Sequence, residues 1–240
     1  MVDAAHIIPR SPDDPPPPPP WWRRPRVLPW LAGSLAVAAA VGGGLWAWKP
    51  WQSVELPQSA CWGVLDANDL KPLTGPDGKA IEPRPSREIA TPAKPASGSR
   101  DSRCRVMWPD ATILLDAEVR PARDRIDADR KNDAGGGSVT PLDFGPGTTG
   151  WVTASNIVPG NASVRLYVPC DFDAPRDDSD QPPPKYFGVL VSGDIVHGAS
   201  LGKAHQAYAD IALKIGRVAA TAYECRNTMT LTATAPRVAS

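Results

Sequence analysis

The segment Gly198-Ala199-Ser200-Leu201-Gly202 has residue types and spacing that could do chemistry. In a G-x-S-x-G turn the serine sits on a sharp strand-to-helix bend, its hydroxyl exposed as the nucleophile of acyl transfer. The context is of the right kind, with a β-rich stretch upstream and a helical pattern starting at Ser200. Such a serine needs a histidine base steadied by an acid, and the hydrolase order runs serine, acid, histidine. The histidines are His6, His197 and His205, so none follows His205. His205 and Asp210 lie on the helix that Ser200 itself would begin, and neither can turn back onto its hydroxyl. The expected role of Ser200 is N-cap of that helix. An envelope serine hydrolase using Ser200 is the alternative reading.

Other patterns carry less. His197 and His205 are not at zinc-ligand spacing. Asp171, Asp173, Asp177, Asp178 and Asp180 could offer oxygen ligands to calcium. Pro175 interrupts their spacing, and the segment has neither a turn glycine nor a closing glutamate, so a solvated loop is expected. Asp143-Phe144-Gly145 matches the metal-binding tripeptide of kinases without a Gly-rich or catalytic loop, and reads as a turn. No catalytic residue, cofactor or metal ligand is expected. With 26 basic and 26 acidic side chains the net charge is zero, which argues against a nucleic-acid partner.

The four cysteines, Cys61, Cys104, Cys170 and Cys225, all lie in the C-terminal four-fifths of the chain, and none sits in a C-x-x-C pair. An even number in an oxidising compartment means two disulfides, with three possible connectivities. Cys61–Cys104 with Cys170–Cys225 is favoured, because each pair then brackets one half of the segment that follows the apolar run.

That run, Val27 to Trp48, contains no charged residue. At ~1.5 Å per residue it spans roughly 33 Å, enough for a bilayer core. Arg23, Arg24 and Arg26 precede it and only Lys49 follows closely, which places the N-terminus in the cytoplasm and the rest outside. Trp21, Trp22 and Trp30 mark one boundary, and Trp46, Trp48 and Trp51 the other. Those belts and the length favour a retained span over a cleaved signal. Ala32, Ala36, Ala40 and Gly44 recur at every fourth residue and would let two spans approach closely as a homodimer, although Ala and Gly dominate the segment in any register. Residues 1–26 form a cytoplasmic tail with a polyproline stretch, Pro15 to Pro20, read as a stiff spacer in preference to a partner-docking tail. Residues 49–58 read as a juxtamembrane linker, 59–234 as the extracytoplasmic domain and 235–240 as a C-terminal tail.

Within that domain Asp66 is an N-cap for a short helix bearing Leu70 and Leu73. Cys104–Trp108, the Pro109-Asp110 turn and Ala111–Val119 read as a hairpin, with Ile113, Leu115, Ala117 and Val119 alternating. Residues 124–138 read as a charged, then Gly-rich connector. Three strands are expected at 150–153, 163–168 and 186–191, and a closing one at 229–234. A long helix over 200–225 presents Leu201, Ala204, Tyr208, Ile211, Ala212, Ile215, Val218, Ala219 and Ala222 on one apolar face. The expected fold is α+β: a mainly antiparallel sheet packed by a long C-terminal helix, preceded by one transmembrane helix.

Cys61-Trp62-Gly63-Val64-Leu65-Asp66-Ala67-Asn68-Asp69-Leu70, the later Cys104 in a hairpin, and the long helix from Tyr208 to Cys225 resemble streptomycete and other actinobacterial single-pass envelope proteins. More distantly, the pattern is similar to the two-disulfide extracytoplasmic sensor domain of mycobacterial receptor serine/threonine kinases. The resemblance implies an α+β domain with a ligand-binding cleft. This chain departs from it in having only a 26-residue tail where a kinase domain would stand. The expected function is therefore a non-enzymatic, membrane-anchored domain that binds a ligand or an envelope protein.

Overall fold

The computed structural model describes residues 53–85, 88–90, 102–123, 125–156, 161–171, 184–227 and 230–238. The tail 1–26, the apolar run with its Ala32, Ala36, Ala40 and Gly44, and Asp173, Asp177, Asp178 and Asp180 lie outside these residues. Among the described residues no helix is long and apolar enough to cross a membrane.

In chain order the elements are β1 (Val54–Glu55), α1 (Ala67–Leu70) continuing into a 3-10 turn (Lys71–Leu73), β2 (Gly78–Lys79), β3 (Ser102–Met107), β4 (Ile113–Ala122), α2 (Ile126–Gly136), β5 (Gly137–Leu142), β6 (Thr149–Ser155), β7 (Asn161–Pro169), β8 (Tyr186–Asp194) and α3 (Leu201–Ala222). The architecture is α+β. Strands β3 to β8 form one antiparallel sheet in the order β3-β4-β8-β7-β6-β5, and β1 pairs with β2 in a separate two-stranded ribbon.

Alternation along these strands sorts their side chains onto two unlike faces. Val106, Leu115, Ala117, Val119, Val164, Leu166, Val168, Phe187, Val189 and Val191 share one face and are buried in the main core. Against them packs α3 through Ala204, Tyr208, Ile211, Ala212, Ile215 and Ala219, as its period of 3.6 requires. Tyr208 also donates to the Leu114 carbonyl at 3.3 Å. Leu201 and Val218 depart from the expected apolar face: they are exposed, because they fall at the margins of the stripe that meets the sheet.

Local chemistry at the remaining elements follows the sequence in part. Asp66 caps α1 in a capping box, accepting from the Asn68 amide at 2.7 Å while Asp69 accepts from the Asp66 amide at 2.8 Å. The β3–β4 turn places Asp110 and Ala111 at positive φ, matching the twist that a tight hairpin needs. Both favoured disulfides are formed, Cys61–Cys104 with Cα atoms 5.2 Å apart and Cys170–Cys225 at 5.0 Å. The first ties the turn before α1 to β3, and the second ties the end of α3 to the end of β7.

Two expectations are corrected. The connector 124–138 contains α2 and leads directly into β5. No closing strand forms over the described part of 229–234. Instead the chain runs along α3, where Arg217 donates to the Thr232 and Ala233 carbonyls and Gln206 bonds Pro236 and Val238. Gly145, at φ +124°, lies so close to the Thr230 carbonyl that a Cβ there would sit 2.2 Å from its oxygen. Residues 53–58 belong to the folded unit through β1, and Ala235 and Val238 pack against the core.

Replacing Cys170 and Cys225 by alanine opens a loop of sequence separation 55. It is expected to lower unfolding stability by roughly 4 kcal/mol, read from denaturant titration. His205 is buried on α3, Nε2 has no hydrogen-bond partner, and burial holds its pKa below the ordinary histidine value. The unfolded chain therefore takes up this proton first, and stability should fall as pH drops below about 6.5 toward the lower folded value. His205→Leu should flatten that slope, whatever it does to absolute stability.

Candidate functional site

The sheet face opposite α3 is read by taking every second residue across the paired strands. One row runs Arg103, Glu118, Leu190, Arg165, Trp151, and its neighbour runs Arg105, Asp116, Ser192, Ser163, Thr153. On the other side of the first row stand Arg120, Gly188 and Tyr167. This face is polar because α3 buries only the opposite one. The crossover from β4, near one edge, to β5 at the far edge carries α2 over it, covering the β5–β6 part.

None of the residues of α2 is buried, and polar contacts from its underside hold it. Asp133 accepts from the Trp151 indole at 2.8 Å and from Arg165 Nε at 2.7 Å. Asp129 accepts from the Tyr167 hydroxyl at 2.6 Å. Trp151 and Tyr167 stack beneath, ring centroids 5.5 Å apart. Burial and the bond to Asp129 push the Tyr167 hydroxyl up to about 12, so it stays a donor. The Arg165 guanidinium is raised despite its burial, because Asp133 lies against it.

Beyond α2, among the described residues, the side chains of Arg103, Arg105 and Arg120 stand exposed on the face. At its β3 margin one carboxylate organises two arginines. Asp116 accepts from Arg103 Nε at 2.8 Å and Nη2 at 2.6 Å, and from Arg105 Nε at 3.2 Å and Nη2 at 2.8 Å. Burial alone would raise the Asp116 carboxyl, but the two guanidiniums outweigh it and hold the pKa below the usual carboxylate value. The Asp116 side chain is 10% exposed, whereas those of Arg103 and Arg105 are 57% and 43% exposed. The anion thus lies beneath and the cations above it. Glu118 stands opposite Arg103 and also favours its charged form, so two carboxylates and two guanidiniums make up the cluster, with the guanidiniums the more exposed.

Between this cluster and α2 lies a shallow recess with Gly188 in it, lined by Glu118, Arg120, Arg165, Tyr167, Val189 and Leu190. Its free space suits about one water molecule rather than a metabolite. The face is suited to hold an anionic or amphipathic surface by hydrogen bonds and charge. Among the described residues no cluster of histidine, cysteine or carboxylate side chains could hold a metal ion.

The residues singled out from sequence fall elsewhere. Ser200 occupies the N-cap position of α3, but its hydroxyl makes no capping bond; it is exposed, as is His197. His205 lies on the buried side of the same helix, so these groups do not converge. Asp143 accepts from the Gly145 amide at 2.9 Å, a turn contact that leaves Phe144 buried. The open face went unread in the sequence. Its one signal was the run of charges at alternate positions, Arg103 and Arg105 against Asp116, Glu118 and Arg120, on the two strands of the hairpin.

No family model matches the chain, and no curated protein or solved structure matches it.

Asp133→Ala removes the acceptor shared by Trp151 and Arg165. It is expected to cost about 2–3 kcal/mol, since a largely desolvated guanidinium and indole lose their partner. Hydrogen exchange should speed up through α2 more than through α3, and Asp133→Asn should recover part of the loss.

Proposed function

We propose that the chain is a single-pass membrane protein whose folded part, on the outer side of the membrane, binds a ligand or an envelope partner without catalysing a reaction. The observation that carries this reading is the open half-face beyond α2, where Asp116 holds Arg103 and Arg105 as a fixed pair of exposed cations. Such pre-organisation lowers the ordering cost of binding, because the guanidinium positions are set before a partner arrives. The flatness of the face favours a surface contact over a small molecule held in a cavity. Two disulfides suit an oxidising compartment, and the apolar run Val27 to Trp48 supplies the anchor.

Alkaline extraction of cells carrying the full chain is expected to leave it in the membrane fraction, with thiols that become alkylable only after reduction. A photo-crosslinker replacing Arg120, on the open face, should then form adducts in the intact envelope. One replacing Thr221, exposed on α3, should form few. Release by alkali, four thiols open without reductant, or equal cross-linking from both positions would each count against the proposal.

A further inference from the structure

The anchor proposed above has very little chain between it and the folded domain. Trp48 ends the apolar run, and Ser53 already hydrogen-bonds into the fold through its carbonyl, which accepts from the Gly78 amide at 3.1 Å. At no more than ~3.6 Å per residue, this tether reaches about 18 Å when fully drawn out. Whatever part of the domain carries the tether must therefore stay close to the lipid headgroups.

β1, the first strand of the fold, lies at the β3 edge. β1 pairs with β2, and Gly78 of β2 lies against Trp108, its Cβ position 2.7 Å from the indole ring. Trp108 directly follows β3. The chain after β2 then bonds to the same strand, Ile81 exchanging two backbone hydrogen bonds with Met107 at 2.7 and 2.9 Å. Met107 is two residues from Arg105, and Arg105 two from Arg103, both exposed on Asp116. Two of the four large apolar side chains exposed among the described residues belong to this same place: Val54, at 37%, and Ile81, at 50%. The start of the fold, two exposed aliphatic side chains and a fixed pair of guanidiniums thus lie along one edge of the sheet.

We propose that this edge docks on the bilayer that anchors the chain, with Arg103 and Arg105 binding the phosphates of anionic phospholipids and Val54 and Ile81 entering the headgroup layer. The inference rests on the anchored reading above. The exposed guanidinium pair selects the occupant, since its planar fork matches a phosphate and negative surface potential attracts basic groups near the membrane; of the carboxylates at the same edge, Glu55 is paired with Lys79 and Glu82 accepts from the Cys61 amide. Aliphatic side chains beside the cations add burial that a purely soluble anion would not reward. Docking by the β3 edge leaves Arg120 and Leu190, further in on the same open face, available to a partner from the side.

The test uses the full chain in lipid nanodiscs, with hydrogen exchange read over 53–56, 78–82 and β3. Discs of phosphatidylcholine alone are compared with an equal mixture of phosphatidylcholine and phosphatidylglycerol. Exchange over these segments is expected to slow in the anionic discs and to recover in high salt, while α3 is unchanged. Arg105→Gln leaves Asp116 paired with Arg103, so the fold is retained, and it should weaken the protection about fivefold. Ile81→Ser should weaken it in the same segments without changing salt sensitivity. A chain that inserts but exchanges equally in both discs overturns the docking alone, as does protection that high salt or Arg105→Gln leaves intact. A chain that stays out of the discs overturns the anchored reading as well.

Discussion

The packing of α3 against one face of the six-stranded sheet is the constraint on which the rest depends. The largest apolar side chains of β4, β7 and β8 point to that face, and Tyr208, Ile211 and Ile215 fill the space over them. Fully burying one such side chain contributes about 1.5–3 kcal/mol, so this contact dominates the favourable side of folding. The arrangement is secured by other means as well. Cys170–Cys225 holds the end of α3 to the sheet, and Lys214 reaches Asp69 at 2.6 Å to hold α1 against the middle of the helix. The C-terminal segment then lies along α3 through Arg217 and Gln206. Because one face takes the hydrophobic burden, the other is free to be polar.

What that second face does with its freedom is governed by directional bonds. With no buried residue and only Ile126 packed on the Trp151–Tyr167 cluster, α2 is held mainly by two carboxylates that find a tyrosine, a tryptophan and an arginine at fixed spacing. Asp129 and Asp133 are four residues apart, one helical turn, so both point the same way. Hydrogen bonds of this kind add modest net stability, but leaving their partly buried partners unmet would be costly. The clasp therefore fixes where α2 ends its cover and where the open face begins. Arg165 takes part in both: it is bound to Asp133 on one side and borders the recess at Gly188 on the other.

Much of this fold was legible in the sequence because its strongest signals are periodic. The alternation in Ile113 to Val119, the helical repeat from Ala204 to Ala219 and the Asp66 cap gave their elements directly, and the bracketing of the two halves gave the cysteine pairing that the fold contains. The misses share a cause. α2 has no apolar repeat to read, since its partners lie more than fifteen positions away on β6 and β7. The C-terminal segment has the alternation of a strand, yet no free sheet edge receives it, and it satisfies its carbonyls from α3 side chains instead. The open face was invisible for a further reason. Charges at alternate positions look like any solvated strand face until pairing brings Arg103 and Arg105 onto one Asp116.

The same pairing bears on how weak contacts could matter to a tethered domain. An exposed ion pair adds little in free solution, where ordering two long side chains and losing the motion of a whole partner consume the gain. Here Asp116 has already ordered the guanidiniums, so the first cost is met within the fold. The second is met by the chain itself if Val27 to Trp48 spans the bilayer, because a tether of a few residues makes the encounter with a headgroup intramolecular, at an effective concentration in the millimolar range. Contacts too weak to hold a soluble protein to a membrane would then suffice to set which way an anchored one faces. On that argument the shortness of the tether and the position of the arginines are one device rather than two, since lengthening the first would weaken the second without altering a single side chain.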